Sequence, residues 1–162
     1  MIASWKAVLF AGGAFVALAA APASAQSFTL TASLNGANET PAAINTGAFG
    51  SATVIVDMTN RTVTYTVDVF NLPSGVSASH IHAGAAGTSG PVVVNFAPPV
   101  PASNDFRFAG TVKDTEFILR PDQGIRSPDD MFQAILGGNS YVNVHSSVNG
   151  GGEIRGQLTL KQ

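Results

Sequence analysis

Two of the chain's three histidines lie one residue apart in the segment SHIHAG, residues 79–84. On a β-strand, alternate side chains point to the same face, so His80 and His82 are predicted to share a face while Ile81 points into the core. Their Cα atoms would then be roughly 6.5–7 Å apart. Two imidazoles at that spacing can reach one metal ion, so the pair is a candidate for two metal ligands.

The third histidine follows the same alternation in the segment YVNVHS, residues 141–146. Val142 and Val144 are predicted to face the core, whereas Tyr141, Asn143 and His145 face the other way. All three histidines therefore leave the core on the polar side of their strands.

A late segment, GGGEIRGQL, repeats this logic with Glu153 and Arg155 pointing away from the core. If the strands are neighbours, their polar side chains form one cluster: His80, His82, His145, Asn143, Glu153 and Arg155. Three neutral imidazoles suit Cu(II) or Zn(II), and a carboxylate next to them can orient a ring. A shared ion at roughly 2.0–2.1 Å requires the three imidazole nitrogens to lie within about 4 Å of one another.

A structural role for the same residues is the main alternative. In that interpretation the histidines hydrogen-bond to Asn143, Glu153 and neighbouring backbone, and they tie the glycine-rich loop AGAAGTSGP to the fold. No catalytic residue is predicted, because the chain has no nucleophile-elbow pattern and the loop lacks the Lys-Ser/Thr ending of a phosphate-binding loop. The sequence thus predicts either a non-enzymatic binding or structural module without a cofactor, or a copper- or zinc-binding protein with redox or oxidant-handling activity as an option.

Short segments of alternating apolar and polar residues predict an all-β, Greek-key, immunoglobulin-like sandwich of about eight strands. In RTVTYTVDVF, for example, Val63 and Val67 alternate with Thr62 and Thr66. One short helix is predicted in SPDDMFQAILGG, where Ser127 can cap the helix, a proline occupies the first turn and a glycine can end it.

The first 25 residues have the features of a signal peptide: an early lysine, an apolar stretch and an Ala-Ser-Ala site that predicts cleavage after Ala25. The protein is therefore predicted to be exported, to the periplasm or outside the cell, with no stable membrane anchor after cleavage.

The chain has no cysteine, which excludes disulfides and thiolate metal sites. Its net charge is −2 without a basic cluster, so nucleic acid is not an expected partner, and the ligand is an unknown protein or surface.

Two segments, ASHIHAGAAGTSGPVVVNF and YVNVHSSVNGGGEIRGQL, resemble the CHRD domain, which occurs in chordin and singly in exported bacterial proteins. The N-terminal segments LNGANETPAAINTGAFGSATVIVD and TVTYTVDVFNL resemble the same domain. The resemblance covers residues 26–162 and implies a β-sandwich of immunoglobulin-like character. It implies a fold more than an activity.

The histidine segments also resemble, more faintly, the copper-binding motifs of copper–zinc superoxide dismutases, which are exported Greek-key sandwiches too. That likeness implies three copper ligands at His80, His82 and His145, with Arg155 near the position of an anion-guiding arginine. The chain departs from the family in lacking a fourth, bridging histidine, a recognisable zinc set and the paired cysteines. The likeness therefore implies at most a copper-only or vestigial site.

Overall fold

The computed structural model describes residues 26–98 and 103–162. The predicted signal peptide, residues 1–25, lies outside the described residues. Nine strands and one α-helix follow one another as β1 (Ser27–Asn35), β2 (Phe49–Asp57), β3 (Thr62–Phe70), β4 (Val76–Ala83), β5 (Val92–Asn95), β6 (Phe106–Lys113), α1 (Pro128–Leu136), β7 (Ser140–Ser146), β8 (Ile154–Gln157) and β9 (Thr159–Leu160). Three single-turn 3₁₀ helices lie at Gly36–Asn38, Asp114–Glu116 and Pro121–Gln123.

All strand pairs are antiparallel, and the strands form one continuous sheet in the order β5-β4-β7-β8-β1-β2-β3-β6, with β9 also paired to β1. The sheet folds over onto itself. Tyr65 of β3 stacks on Phe96, just after β5, with ring centroids 3.8 Å apart. The predicted all-β sandwich is confirmed.

Two halves of the sheet enclose the core. The first half contains β1, β2, β3 and β6, and the second contains β5, β4, β7 and β8. In the first half, alternate residues of β2 and β3 are fully buried, among them Val54, Val63 and Val67. In the second half, Ile81, Val142 and Val144 face the same core. The alternation predicted for these strands is confirmed on the core side.

The helix begins and ends where the sequence predicts. The Ser127 hydroxyl accepts a hydrogen bond from the backbone N–H of Asp130, and the Asp130 carboxylate accepts one from the backbone N–H of Ser127. The buried face of the helix contains Met131, Phe132 and Ile135, because a period of 3.6 residues per turn places these positions on one side. The late segment GGGEIRGQL forms β8 as far as Gln157. Leu158, which is buried and whose N–H bonds to the carbonyl of Ser140, separates β8 from β9.

Candidate functional site: a buried polar layer with three histidines

Five of the six predicted site residues lie on three adjacent strands, β4, β7 and β8, and Glu153 directly precedes β8. His80 pairs directly with Asn143, and Asn143 pairs with Arg155 on its other side. His82 pairs in the same way with Tyr141. Residues directly opposite each other in an antiparallel pair share a face, so these side chains form one layer on the side away from the core.

Loops cover this polar layer, so both faces of the sheet are buried here. Every residue of β7 is buried, including Asn143 and His145 on the polar face. The covering comes from residues 36–48, 84–90 and 147–152, whose contacts with the layer are described below. Alternation alone does not reveal this burial, because an alternating strand usually has its polar face in water.

The three histidines converge. One nitrogen from each of His80, His82 and His145 lies within 4.8 Å of the others. The shortest separation, 3.1 Å, joins Nδ1 of His80 to Nε2 of His145. The whole span is wider than the roughly 4 Å that a shared ion requires, so an ion would have to draw the rings together by several tenths of an ångström.

Backbone carbonyls fix the tautomers of two of the rings. Nδ1 of His82 is 2.9 Å from the carbonyl oxygen of Gly90, and Nδ1 of His145 is 3.0 Å from that of Gly150. A carbonyl only accepts, so each Nδ1 carries the proton and each neutral ring keeps its lone pair on Nε2. Nε2 of His82 is buried without a hydrogen-bond partner in the part of the chain that the structure describes, and Nε2 of His145 accepts from Nδ1–H of His80.

Burial also keeps the rings uncharged. Desolvation, helped by the neighbouring histidines, lowers the pKa of His80 from 6.5 to about 4. Desolvation likewise lowers the pKa of His82 and of His145, although the carbonyls of Gly90 and Gly150 act in the opposite direction. The three imidazoles are therefore neutral at pH 7, which is the form that binds metal ions.

A stack of three side chains borders the histidines. The ring of His82 lies on that of Tyr141, with centroids 4.8 Å apart and planes 11° apart. The Arg155 guanidinium lies on the tyrosine, 3.3 Å from its centroid. Arg155 also donates to the Thr40 hydroxyl and to the carbonyl of Thr88, so it holds two of the three covering loops.

The second predicted partner of the histidines, Glu153, points elsewhere. Its Oε1 accepts a hydrogen bond from the Thr46 hydroxyl at 2.7 Å, and none of the histidines bonds to it or to Asn143. That part of the structural interpretation is not found in the described residues. Its other part is found, because His82 ties the loop of residues 84–90 to β4 through Gly90.

Sequence reasoning missed Glu39 as a member of the layer. Its carboxylate accepts a hydrogen bond from the Asn143 amide, and desolvation raises its pKa despite that bond and the nearby Arg155. No periodicity connects Glu39 to β7. Its position depends on the path of the loop of residues 36–48, which a single sequence does not reveal.

Taken together, the fold and the site define an antiparallel β-sandwich in which loops enclose a polar, histidine-bearing layer. A comparison with protein families matches residues 30–158 to the CHRD domain, and the chain belongs to that family. The resemblance seen in its histidine segments is confirmed. No curated protein and no solved structure matches the chain significantly.

Membership of this family supports a binding or structural module in general terms. Among the described residues, no helix has both the length and the apolar character needed to span a membrane.

Proposed function

We propose that the protein is an exported binding module that holds one copper or zinc ion through His80, His82 and His145. The observation that carries the proposal is the orientation of two rings whose Nδ1–H groups are taken by backbone carbonyls. Nε2 of His82 then has no hydrogen-bond partner among the described residues and Nε2 of His145 accepts only from His80, while one nitrogen of each of the three rings lies within 4.8 Å of the others. Hydrogen bonds of this kind, from the non-ligating nitrogen to a carbonyl, are the usual support of metal-binding histidines.

The donor set fits a borderline metal ion. Three neutral imidazoles without a carboxylate or thiolate favour Cu(II) or Zn(II) over Ca(II) or Mg(II), which prefer oxygen. His80 is the adaptable member, because its Nδ1–H now donates to His145. To act as a ligand through Nδ1, His80 would move that proton to its Nε2. A bound copper ion would supply one-electron redox chemistry, and a zinc ion would supply none.

Elemental analysis of protein purified from its native exported compartment is the first test, followed by calorimetric titration with Cu(II) and Zn(II). We expect one ion per chain, with Cu(II) bound more tightly than Zn(II), in keeping with the general order of affinities. His82→Gln should abolish tight binding because it removes the buried lone pair. His80→Ala serves as a second variant, since His80 is the least buried of the three rings.

Asp122→Asn controls for non-specific binding, because Asp122 is an exposed acid on a 3₁₀ helix outside the polar layer. Circular dichroism of each variant checks that the fold is retained. Binding no tighter than micromolar in the wild-type protein, or equal binding by His82→Gln, would contradict the metal site.

Export is tested separately by N-terminal sequencing of the protein from the exported fraction. Cleavage after Ala25 predicts a mature chain that begins at Gln26. A chain that keeps residues 1–25 and stays in the cell interior would contradict export without affecting the metal titration.

A further inference from the structure

A separate cleft of about 510 Å³ opens beside the loop that follows β7. Its lining includes Asn45 and Thr46 from one covering loop, Pro73 and Ser74 from the β3–β4 connection, Val148 from the loop after β7, and Glu153. Glu153 is only 2% exposed, whereas Val148 at the rim is 75% exposed. A buried carboxylate therefore lies against a cleft that is open to solvent on one side.

Two polar atoms of this lining have no partner among the described residues. Oε1 of Glu153 accepts from the Thr46 hydroxyl, but Oε2 is buried without any hydrogen bond, and so is Oγ of Ser74. None of the ion pairs among the described residues involves Glu153. A buried carboxylate oxygen without a donor is costly, so this one calls for a cationic donor from outside the chain.

The composition of the lining favours an organic cation over a metal ion. A calcium ion takes six to eight oxygen ligands, and the cleft offers one unpaired carboxylate oxygen. Pro73 and Val148 provide apolar surface in the same cleft. The volume falls in the range of small-molecule sites, about 300–1,000 Å³, and is far larger than a single ion needs.

We propose that this cleft binds a primary ammonium group carried on a short apolar chain. The ammonium donates to Oε2 of Glu153 and to the Ser74 hydroxyl, while its carbon chain packs on Pro73 and Val148. A free alkylamine and a lysine side chain of another protein share this chemistry. The inference does not depend on the histidine site, because none of the cleft residues named above is a proposed metal ligand.

Binding of n-butylamine at pH 7, followed by amide chemical shifts of the intact mature protein, tests the proposal. We expect saturable shifts around Ser74, Val148 and Glu153, and at least about tenfold weaker binding by Glu153→Gln, the loss expected for a charge-assisted hydrogen bond. Gln can still accept from the Thr46 hydroxyl, so the variant should fold. Glu116→Gln, the same change at an exposed glutamate, should bind like the wild-type protein.

The neutral isostere n-butanol provides a test that needs no variant, and it should bind at least about tenfold more weakly than the amine. A lysine-containing peptide distinguishes the two sources: tighter binding of the peptide assigns a protein lysine, and tighter binding of butylamine assigns a free amine. Equal affinity for butanol, undiminished binding by Glu153→Gln, or competition by calcium in place of the amine would overturn the proposal. Copper titration of Glu153→Gln should be unchanged, which separates this result from failure of the metal site.

Discussion

The two halves of the sheet share an alternating pattern of apolar and polar residues, but they differ in whether the polar face is in contact with water. In the first half, β2 and β3 bury every second side chain, and their other face holds threonines such as Thr64 and Thr66 that remain partly in contact with water. In the second half, β7 is buried along its whole length. There the polar residues are enclosed by loops rather than solvated.

This difference changes the free-energy cost of leaving a polar side chain without a hydrogen-bond partner. On the first half, Arg107 pairs with Asp68 across β6 and β3 at the surface, where water can replace either partner. On the second half, Arg155 is 2% exposed and donates to the Thr40 hydroxyl and the Thr88 carbonyl. Enclosed polar groups must find partners in the protein or in a ligand, which is why the unpaired lone pairs of this layer point to binding.

We expect the largest effect on stability from replacing Arg155, and a much smaller one from replacing Arg107. Arg155→Ala removes the tyrosine contact and the bonds to two covering loops, and we expect it to lower the free energy of unfolding by about 3 kcal/mol. Arg107→Ala removes an exposed ion pair and should change it little. Urea denaturation of both variants measures the difference, and equal effects would show that the enclosed layer does not differ energetically from the surface.

Two glycines of the loop after β7 sharpen the comparison. Gly152 has φ +133°, and a Cβ there would lie 2.6 Å from the Asn143 side chain. Gly152→Ala should therefore cost about 1–3 kcal/mol of stability. A Cβ on Gly150 meets nothing within 4 Å, so Gly150→Ala is the matched control and should leave the urea midpoint nearly unchanged. A tolerated Gly152→Ala would mean that this loop does not enclose the layer tightly.

A smaller effect should appear as a pH dependence of the apo-protein. His80 has a pKa of about 4 in the fold against 6.5 unfolded, so the unfolded chain takes up the proton first as the pH falls. Wild-type stability should decline from this source between pH 6.5 and 4. The stability of His80→Gln relative to the wild-type protein should rise over the same interval. A difference that is independent of pH would contradict the burial of a neutral His80.

Glu39 should give the smallest effect, with the opposite direction. Its raised folded pKa means that the unfolded chain releases the proton first as the pH rises above about 4.5. Stability from this source is thus lost with rising pH. Glu39→Gln keeps a partner for Asn143 without a charge, so its stability relative to the wild-type protein should increase from pH 4.5 to 7. Thermal unfolding at a series of pH values measures it, and a relative stability that falls with pH would refute the assignment.

Much of the framework follows from the sequence, since alternation predicts strands β1 to β7 and the Ser127 cap predicts the helix. The shared face of His80 and His82 follows in the same way from residue spacing. Three features do not follow from the sequence. The adjacency of β4, β7 and β8 depends on long-range pairing, and the position of Glu39 depends on the path of a loop. The carbonyls of Gly90 and Gly150, which fix the ring tautomers, are backbone atoms that no residue type reveals.

The junction between the halves has a consequence for slow motions of the molecule. Strands β1 and β8 pair through Asn35 and Arg155 alone, and β9 adds two further residue pairs to β1. Few backbone residue pairs therefore join β8 and β9 to β1, which favours local opening of these two short strands well below the free energy of global unfolding. Amide hydrogens of β8 and β9 should exchange with solvent faster than those of β2 and β3.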